Sequence, residues 1–333
     1  MAKVSIIGAG SWGSALARIL GDNNNDVLIY DIDENIINEI NTFHTNKDKL
    51  PVGSLPLNVS ATNSIKEAIL FSNIIVLSVP TKVLRNVLKK INSCINEPKL
   101  FVNTSKGIEP DTFLRVSEIV QQEINNEMIE GFVALTGPSH AEEVINQLLT
   151  LVCSVSENEK HAVLVQNLFN NSNYFRVYTN NDLIGAEICG ALKNIYAIAS
   201  GMLYGLGLGD NAKAGLISRA LVEMKRFCHL FNAKEETVFG LTGIGDLVVT
   251  TTSHHSRNFQ AGIKLATGSN LEETISSMSM VVEGARTAQA AYQKAVELNI
   301  EVPIIEEVYK VIYNHKSVQS AVNDLMRRSV KQE

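Results

Sequence analysis

"KVSIIGAGSWGSALARIL", residues 3–20, decides the fold. It opens on a short apolar, β-branched run, breaks at glycines, and continues with apolar residues at helical spacing. A GxGxxG frame alone is weak; between a strand and a helix it reads as a dinucleotide-binding turn. Gly8 permits the tight turn, Gly10 lets backbone approach a pyrophosphate, and Gly13 lets helix pack on strand. The amides of Ser11 and Trp12, at the helix start, face the anion on this reading.

The same pattern recurs outward from this turn. "DVLIYD" (26–31), "NIIVLSVP" (73–80), "KLFVNTSKG" (99–107), "GFVALTGPS" (131–139), "QLLTLVCSVS" (147–156) and "NYFRVYTN" (173–180) read as further strands. Strand–helix alternation predicts an α/β chain, with a Rossmann-type, doubly wound parallel sheet over residues 1–180. Beyond it the pattern turns helical, so residues 181–333 read as a mostly α-helical C-terminal domain. "DLIGAEICGALKNIYAIASGML" (182–203) and "DNAKAGLISRALVEMKRFCHLF" (210–231) are long helices, with Asp182 and Asp210 as expected N-caps. Residues 240–258 read as a glycine-rich connection.

Composition narrows the classes. A chain of 333 residues suits about two domains. A net charge of −6 argues against a nucleic-acid surface. No run approaches about 18 apolar residues, so no membrane span is expected. Cys94, Cys153, Cys189 and Cys228 have no CxxC spacing, which argues against a zinc site or a disulfide framework and fits the cytoplasm. His254 and His255 have no third ligand at helical spacing, so no metal is expected. A homodimer is an open expectation that no residue fixes.

Asp31 ends the second strand, about 20 residues beyond the glycines, where an acid bonds a ribose hydroxyl. A carboxylate there repels a 2′-phosphate, which favours NAD over NADP. The competing reading is a solvated turn acid, followed by Asp33 and Glu34. Ligands of such sheets bind outside the carboxyl ends of the strands. Pro80, Lys106 and "TGPSHAEE" (136–143) all follow strand ends. A cation and backbone amides there suit an anionic or carbonyl-bearing small molecule. An ordinary exposed lysine is the alternative for Lys106.

Lys193 is one cation in an apolar helix, with no carboxylate three or four residues away. Hydride transfer from an alcohol needs a group to accept the hydroxyl proton. A lysine can serve where burial or a nearby cation lowers its pKa. The alternative is a lysine that snorkels its head to water. Asp246 in "GIGDL" and Ser256, Arg257 and Asn258 in "SRN" add an acid and phosphate-suited donors.

At this point the chain resembles the bacterial NAD(P)-dependent glycerol-3-phosphate dehydrogenases along essentially its whole length. The blocks, in order, are "GAGSWGSALA", "SVP", "SKG", "GPSHAEE", "GALKNIYAIASGM", "GDNAKAGLISRALVEM", "GIGDLVVTTTSHHSRN", "VVEGARTA" and "VPIIEEVYKVIY". The resemblance implies reversible oxidation of sn-glycerol 3-phosphate to dihydroxyacetone phosphate, supplying glycerol 3-phosphate for phospholipid synthesis. It implies Lys193 as proton acceptor and Lys106 as a contact to substrate and cofactor, with Lys106 and Asp246 orienting the reacting groups. It further implies Gly137, Ser139, Asp246, Ser256, Arg257 and Asn258 as substrate contacts. Ser11, Trp12, Ala141, Arg257, Val282 and Glu283 become cofactor contacts. On this reading Lys193 enters a cleft between two domains, with Lys106 and Asp246 as its partners from afar. Two departures stand out: Asp31, where many relatives carry a basic or neutral residue, and His140, where relatives commonly have Phe. The rivals are a dehydrogenase of similar build acting on a 3-hydroxyacid, and a nicotinamide sensor without turnover.

Overall fold

The computed structural model describes residues 1–269, 271–277, 282–330 and 332. The chain divides into two compact units, Met1–Lys106 with Arg115–Ala186, and Gly107–Leu114 with Glu187–Glu333. The first is built on one eight-stranded sheet. Its strands are β1 (Lys3–Ile7), β2 (Asp26–Tyr30), β3 (Val59–Thr62), β4 (Ile74–Leu77), β5 (Lys99–Asn103), β6 (Ile129–Thr136), β7 (Thr150–Val155) and β8 (Phe175–Asn180). They lie in the order β3-β2-β1-β4-β5-β6-β7-β8. The helices between them are α1 (Ser11–Asp22), α2 (Glu34–Phe43), α3 (Ile65–Phe71), α4 (Thr81–Asn92), α5 (Val116–Glu123), α6 (Ala141–Ile145) and α7 (Glu159–Phe169).

The run that opens the chain folds as its pattern requires. Val4, Ile6 and Ile7 are fully buried, because a parallel strand with helices on both faces has no wet side. Ser5, the polar residue among them, is also fully buried and donates its hydroxyl to Ala68 O at 2.6 Å. Chain order reverses at β1, which pairs with β2 on one side and β4 on the other. That is the switch point where open α/β sheets bind ligands.

Two expectations about the sheet need correction. The "NIIVLSVP" strand is fourth in the chain, because Val59–Thr62 forms an edge strand of four residues. A run that short, with Ser60 exposed, carries little periodicity to read. Nor is the sheet wholly parallel: β6 and β7 pair antiparallel, Ala134 against Val155. The connection between them, residues 137–149, carries the short helix α6 and returns the chain to the sheet at the end where β6 left it.

The second unit is helical: α8 (Leu183–Gly205, in this unit from Glu187 on), α9 (Gly209–Leu230), α10 (Glu235–Val238), α11 (Asp246–Thr252), α12 (Arg257–Ala266), α13 (Leu271–Ser276), α14 (Glu283–Glu297), α15 (Pro303–Tyr313) and α16 (Val318–Met326). Asp182 caps α8 as expected, accepting from Gly185 N at 3.0 Å. Asp210 is not the cap of α9; it sits in the first turn, after Leu208 and Gly209. Gly209, at φ +77°, starts that helix in a backbone conformation that side chains disfavour. Gly107–Leu114 groups with this unit through Phe113, whose ring stacks on Phe227 and Phe231 at 6.1 and 5.3 Å.

Two glycines bring α8 and α12 together. A Cβ on Gly262 would lie 2.0 Å from Ile198 O, and one on Gly201 would lie 1.9 Å from Phe259 O. Glu223 of α9 is buried and bonds the start of α15, accepting from Ile304 N at 2.6 Å and Ile305 N at 3.3 Å. Burial pushes its carboxyl up to about 8, against the pull of those two amides.

Gly262→Ala is expected to cost about 1–3 kcal/mol by overpacking. Gly215→Ala, in an exposed stretch of α9 with open space beside it, is expected to gain about 0.5–1 kcal/mol. Thermal melts should therefore move in opposite directions. Glu223 holds its proton more tightly folded than unfolded, so its contribution declines as pH rises from about 4.5 to about 8. Glu223→Gln should flatten the pH dependence of Tm across that window.

Candidate active site

In the first unit, the glycine motif forms the turn between β1 and α1. Gly8 has φ +113°, and a Cβ there would lie 2.6 Å from Ser78 O at the end of β4. Gly13 sits against the turn itself, its missing Cβ replaced by Gly8 O at 2.0 Å. Gly10 differs, because a Cβ there would meet nothing within 4 Å. Glycine at a site with open space beside it fits close approach of a ligand. Ser11 and Trp12 open α1, whose first amides have no intrahelical partner. Trp12 adds a buried Nε1 that has no hydrogen-bond partner in the chain. These residues fit a dinucleotide, with the pyrophosphate on the start of α1.

Asp31 stands at the expected strand end but is more engaged than its sequence position disclosed. Its Oδ2 accepts from Ala9 N at 2.7 Å, and its Oδ1 from Ile32 N and Asp33 N at 2.8 and 3.1 Å. It therefore organises the turn as well as offering a carboxylate at its rim. Pro80 is exposed at the N-cap of α4, just beyond β4.

The SKG and GPS blocks come together. Lys106 Nζ donates to Gly137 O at 3.0 Å, and Ser139 Oγ donates to the same carbonyl at 3.0 Å. Gly137 takes φ +145° to make this turn, with His140 as N-cap of α6 and Ala141 as its first residue. A cation and a hydroxyl thus share one carbonyl at the carboxyl end of β6.

In the second unit, α8 is buried on every side from Ile188 to Met202. Lys193 is buried with it, so the snorkelling alternative does not hold. Its Nζ donates to Asp246 Oδ1 at 2.6 Å and to Thr250 Oγ1 at 2.8 Å. Thr250 Oγ1 in turn donates to Asp246 O at 2.6 Å. Asp246 is 1% exposed, so this is a buried ion pair. Removing one partner of such a pair costs about 3–5 kcal/mol, because the other charge is left uncompensated. Tyr196 lies one turn along α8 and is fully buried. Burial holds its hydroxyl well above its ordinary range.

The expected glycine-rich connection is not a loop. Leu241–Gly245 winds as a π-turn that runs directly into α11, and Asp246 is the first residue of that helix. Such turns recur at functional sites because they re-aim the residues that follow. Thr250 has no motif role of its own in the sequence; its place one turn after Asp246 in "DLVVTTT" is the signal that points to it.

The SRN block begins α12. Ser256 is its N-cap, accepting from Phe259 N at 3.3 Å, and Arg257 is its first residue. Asn258 lies in the interior, donating to Asn194 Oδ1 at 2.9 Å and accepting from Gly284 N at 3.0 Å. Asn194 stands beside Lys193 in "ALKN", with no sequence signal beyond that adjacency. Val282 and Glu283 form the N-cap and first residue of α14. Val281, the first residue of the "VVEG" block, lies outside the described residues.

Comparison with known proteins agrees along the chain. Residues 3–162 match the profile described as NAD-dependent glycerol-3-phosphate dehydrogenase N-terminus, and residues 182–323 match that of the C-terminus. Glycerol-3-phosphate dehydrogenase [NAD(P)+] of Acholeplasma laidlawii is 48% identical over 332 residues, 99% of each chain. The Bacillus licheniformis protein of the same name is 49% identical over 329 residues, 98% of this chain and 95% of that one. The crystal structure of glycerol-3-phosphate dehydrogenase from Coxiella burnetii superposes with a TM-score of 0.93 at 32% identity, covering 98% of this chain and 99% of that one. With both halves matched by one family and near-full-length relatives at such identity, the chain belongs to the NAD-dependent glycerol-3-phosphate dehydrogenases.

Proposed function

We propose that this chain interconverts sn-glycerol 3-phosphate and dihydroxyacetone phosphate with NAD or NADP, and that Lys193 exchanges the hydroxyl proton. The observation that carries the reading is the buried Lys193 Nζ, fixed 2.6 Å from Asp246 Oδ1 and 2.8 Å from Thr250 Oγ1. A bound nicotinamide would supply the hydride acceptor, or donor, for C2. In reduction the Lys193 ammonium donates a proton to the carbonyl oxygen and is left as the neutral amine; in oxidation that neutral amine takes the proton of the C2 hydroxyl and becomes the ammonium again. Such a transfer contributes about 10²–10⁴-fold when the group is held in place. Asp246 and Thr250 hold the ammonium group, and Lys106, tied to Gly137 O, orients the reacting oxygen.

For the phosphate end the reading takes Arg257 and the first-turn amides of α12, where anions are favoured. Ser256 accepts from Phe259 N but has an O–H to donate, and the Asn258 carboxamide has a second N–H. The dinucleotide falls to Gly8, Gly10, Ser11, Trp12 and Gly13, with Asp31 at the ribose. Asp31 favours NAD, since a carboxylate repels a 2′-phosphate. The role we assign is supply of glycerol 3-phosphate for phospholipid synthesis in the cytoplasm. Among the described residues no helix is long and apolar enough to cross a membrane. A homodimer belongs to the same reading.

Lys193→Arg keeps a cation beside Asp246 but cannot give up its proton. It should retain Tm and NADH binding while kcat for dihydroxyacetone phosphate reduction falls at least about 100-fold. Turnover near wild type would rule Lys193 out as the proton carrier. Asp31→Asn removes the charge, and its single carboxamide oxygen can serve Ala9 N or the Ile32 and Asp33 amides but not both, a loss to the turn that weakens both cofactors alike. The ratio of kcat/KM with NADH to that with NADPH should fall about tenfold, some 1.4 kcal/mol. An unchanged ratio would remove Asp31 from cofactor selection.

A further inference from the structure

We infer that Asn46, outside every motif, is a positioning residue for the cofactor: it sets the direction of the Gly10 amide. Asn46 is 3% exposed, and its Nδ2 donates to Ala9 O at 2.7 Å and to Ser14 Oγ at 2.9 Å. Ala9 is the residue between the first two glycines of the turn. Its carbonyl shares a planar trans peptide with the Gly10 N–H, so the two point in opposite directions. Holding the carbonyl toward Asn46 turns the Gly10 N–H to the far side. The preceding peptide is fixed as well, by the 2.7 Å bond from Ala9 N to Asp31 Oδ2. Both peptide planes of Gly8-Ala9-Gly10 are thus set by side chains from outside the turn.

The segment that carries Asn46 has its own anchors. Glu39 Oε1 accepts from Thr45 Oγ1 at 2.7 Å and from Lys47 N at 2.8 Å, and Leu50 N donates to Asn46 O at 2.8 Å. A second tie runs the other way, from Ser11 Oγ to Lys49 O at 2.6 Å. The segment is therefore a rigid brace against the turn. A donor amide aimed before the anion arrives requires no reorganisation on binding, which is where affinity is gained.

The inference rests on reading the 8–13 turn as the pyrophosphate site, and the experiment separates the two. Full-length wild type, Asn46→Asp, Asn46→Ala and Gly10→Val are compared by steady-state kinetics with NADH, NADPH and dihydroxyacetone phosphate, and by thermal melts. Asn46→Asp keeps the shape, removes the donor and sets a carboxylate against the Ala9 carbonyl. It should raise KM for NADH and NADPH alike by about tenfold, the scale of one lost hydrogen bond with its group left unpaired. Its kcat and its KM for dihydroxyacetone phosphate should stay within about twofold of wild type, since the Lys193 group is untouched. Asn46→Ala should do the same to a smaller degree. If Asn46→Asp does not fold, the cofactor-induced rise in Tm of Asn46→Ala reports the same loss. A merely structural role would lower Tm and kcat without splitting the two KM values. Cofactor KM at the wild-type value in the Asn46 variants overturns the inference. Gly10→Val, whose Cβ would meet nothing in the chain within 4 Å, should raise cofactor KM with little change in Tm. If it does not, the reading of the turn itself is wrong; if it does and the Asn46 variants remain normal, only the role of Asn46 falls.

Discussion

An ammonium group in a helix buried on every side must have a counter-charge, and that constraint organises the second unit. Lys193 finds it in Asp246, 53 positions along the chain. Desolvating either charge alone would cost several kcal/mol, so neither stands without the other. The pairing explains local features that otherwise look arbitrary. The π-turn over Leu241–Gly245 delivers Asp246 at the very start of α11. Thr250, one turn on, adds a hydroxyl to the same Nζ. Gly201 and Gly262 let α12 approach α8 to backbone contact, and Asn258 then bonds Asn194, the residue beside Lys193.

The first unit solves a different problem with the same economy of parts. Its glycine turn is held in one conformation while the space beside Gly10 stays open. The glycines supply the space; Asp31 and Asn46 supply the fixing, each by a bond to Ala9. Asp31 is bonded to three amides of its own strand end and of the turn, so a change there alters the turn as well as the local charge. Lys106 is held in a similar way, by a carbonyl made available through the left-handed turn at Gly137.

Legibility followed the range of the interactions. The β1–α1 unit could be read because its signal is local: a buried strand, a glycine turn and a helix within 20 residues. The Asp182 cap was readable for the same reason, since it acts across three residues. Asp210 has the look of a cap in the sequence but is not one, because Gly209, in a left-handed conformation, begins the helix ahead of it. Val59–Thr62 escaped because four residues at a sheet edge need little apolar pattern. The antiparallel β7 escaped because orientation depends on where a short connection returns the chain, not on the composition of the strand.

By itself the sequence determined that there would be a glycine turn at 8–13 between a strand and a helix, a helical second half, and a set of blocks matching one dehydrogenase family. These rest on neighbours along the chain or on patterns shared with relatives. Only the tertiary structure decided that Lys193 is buried and paired with Asp246 rather than reaching water. It alone decided that the 240–245 glycines wind into a π-turn, and that Asn46 braces the turn from 37 positions away. The physical reason is the same in each case. A buried polar group is satisfied by whatever partner the fold brings within about 3 Å, and that partner has no fixed distance along the chain.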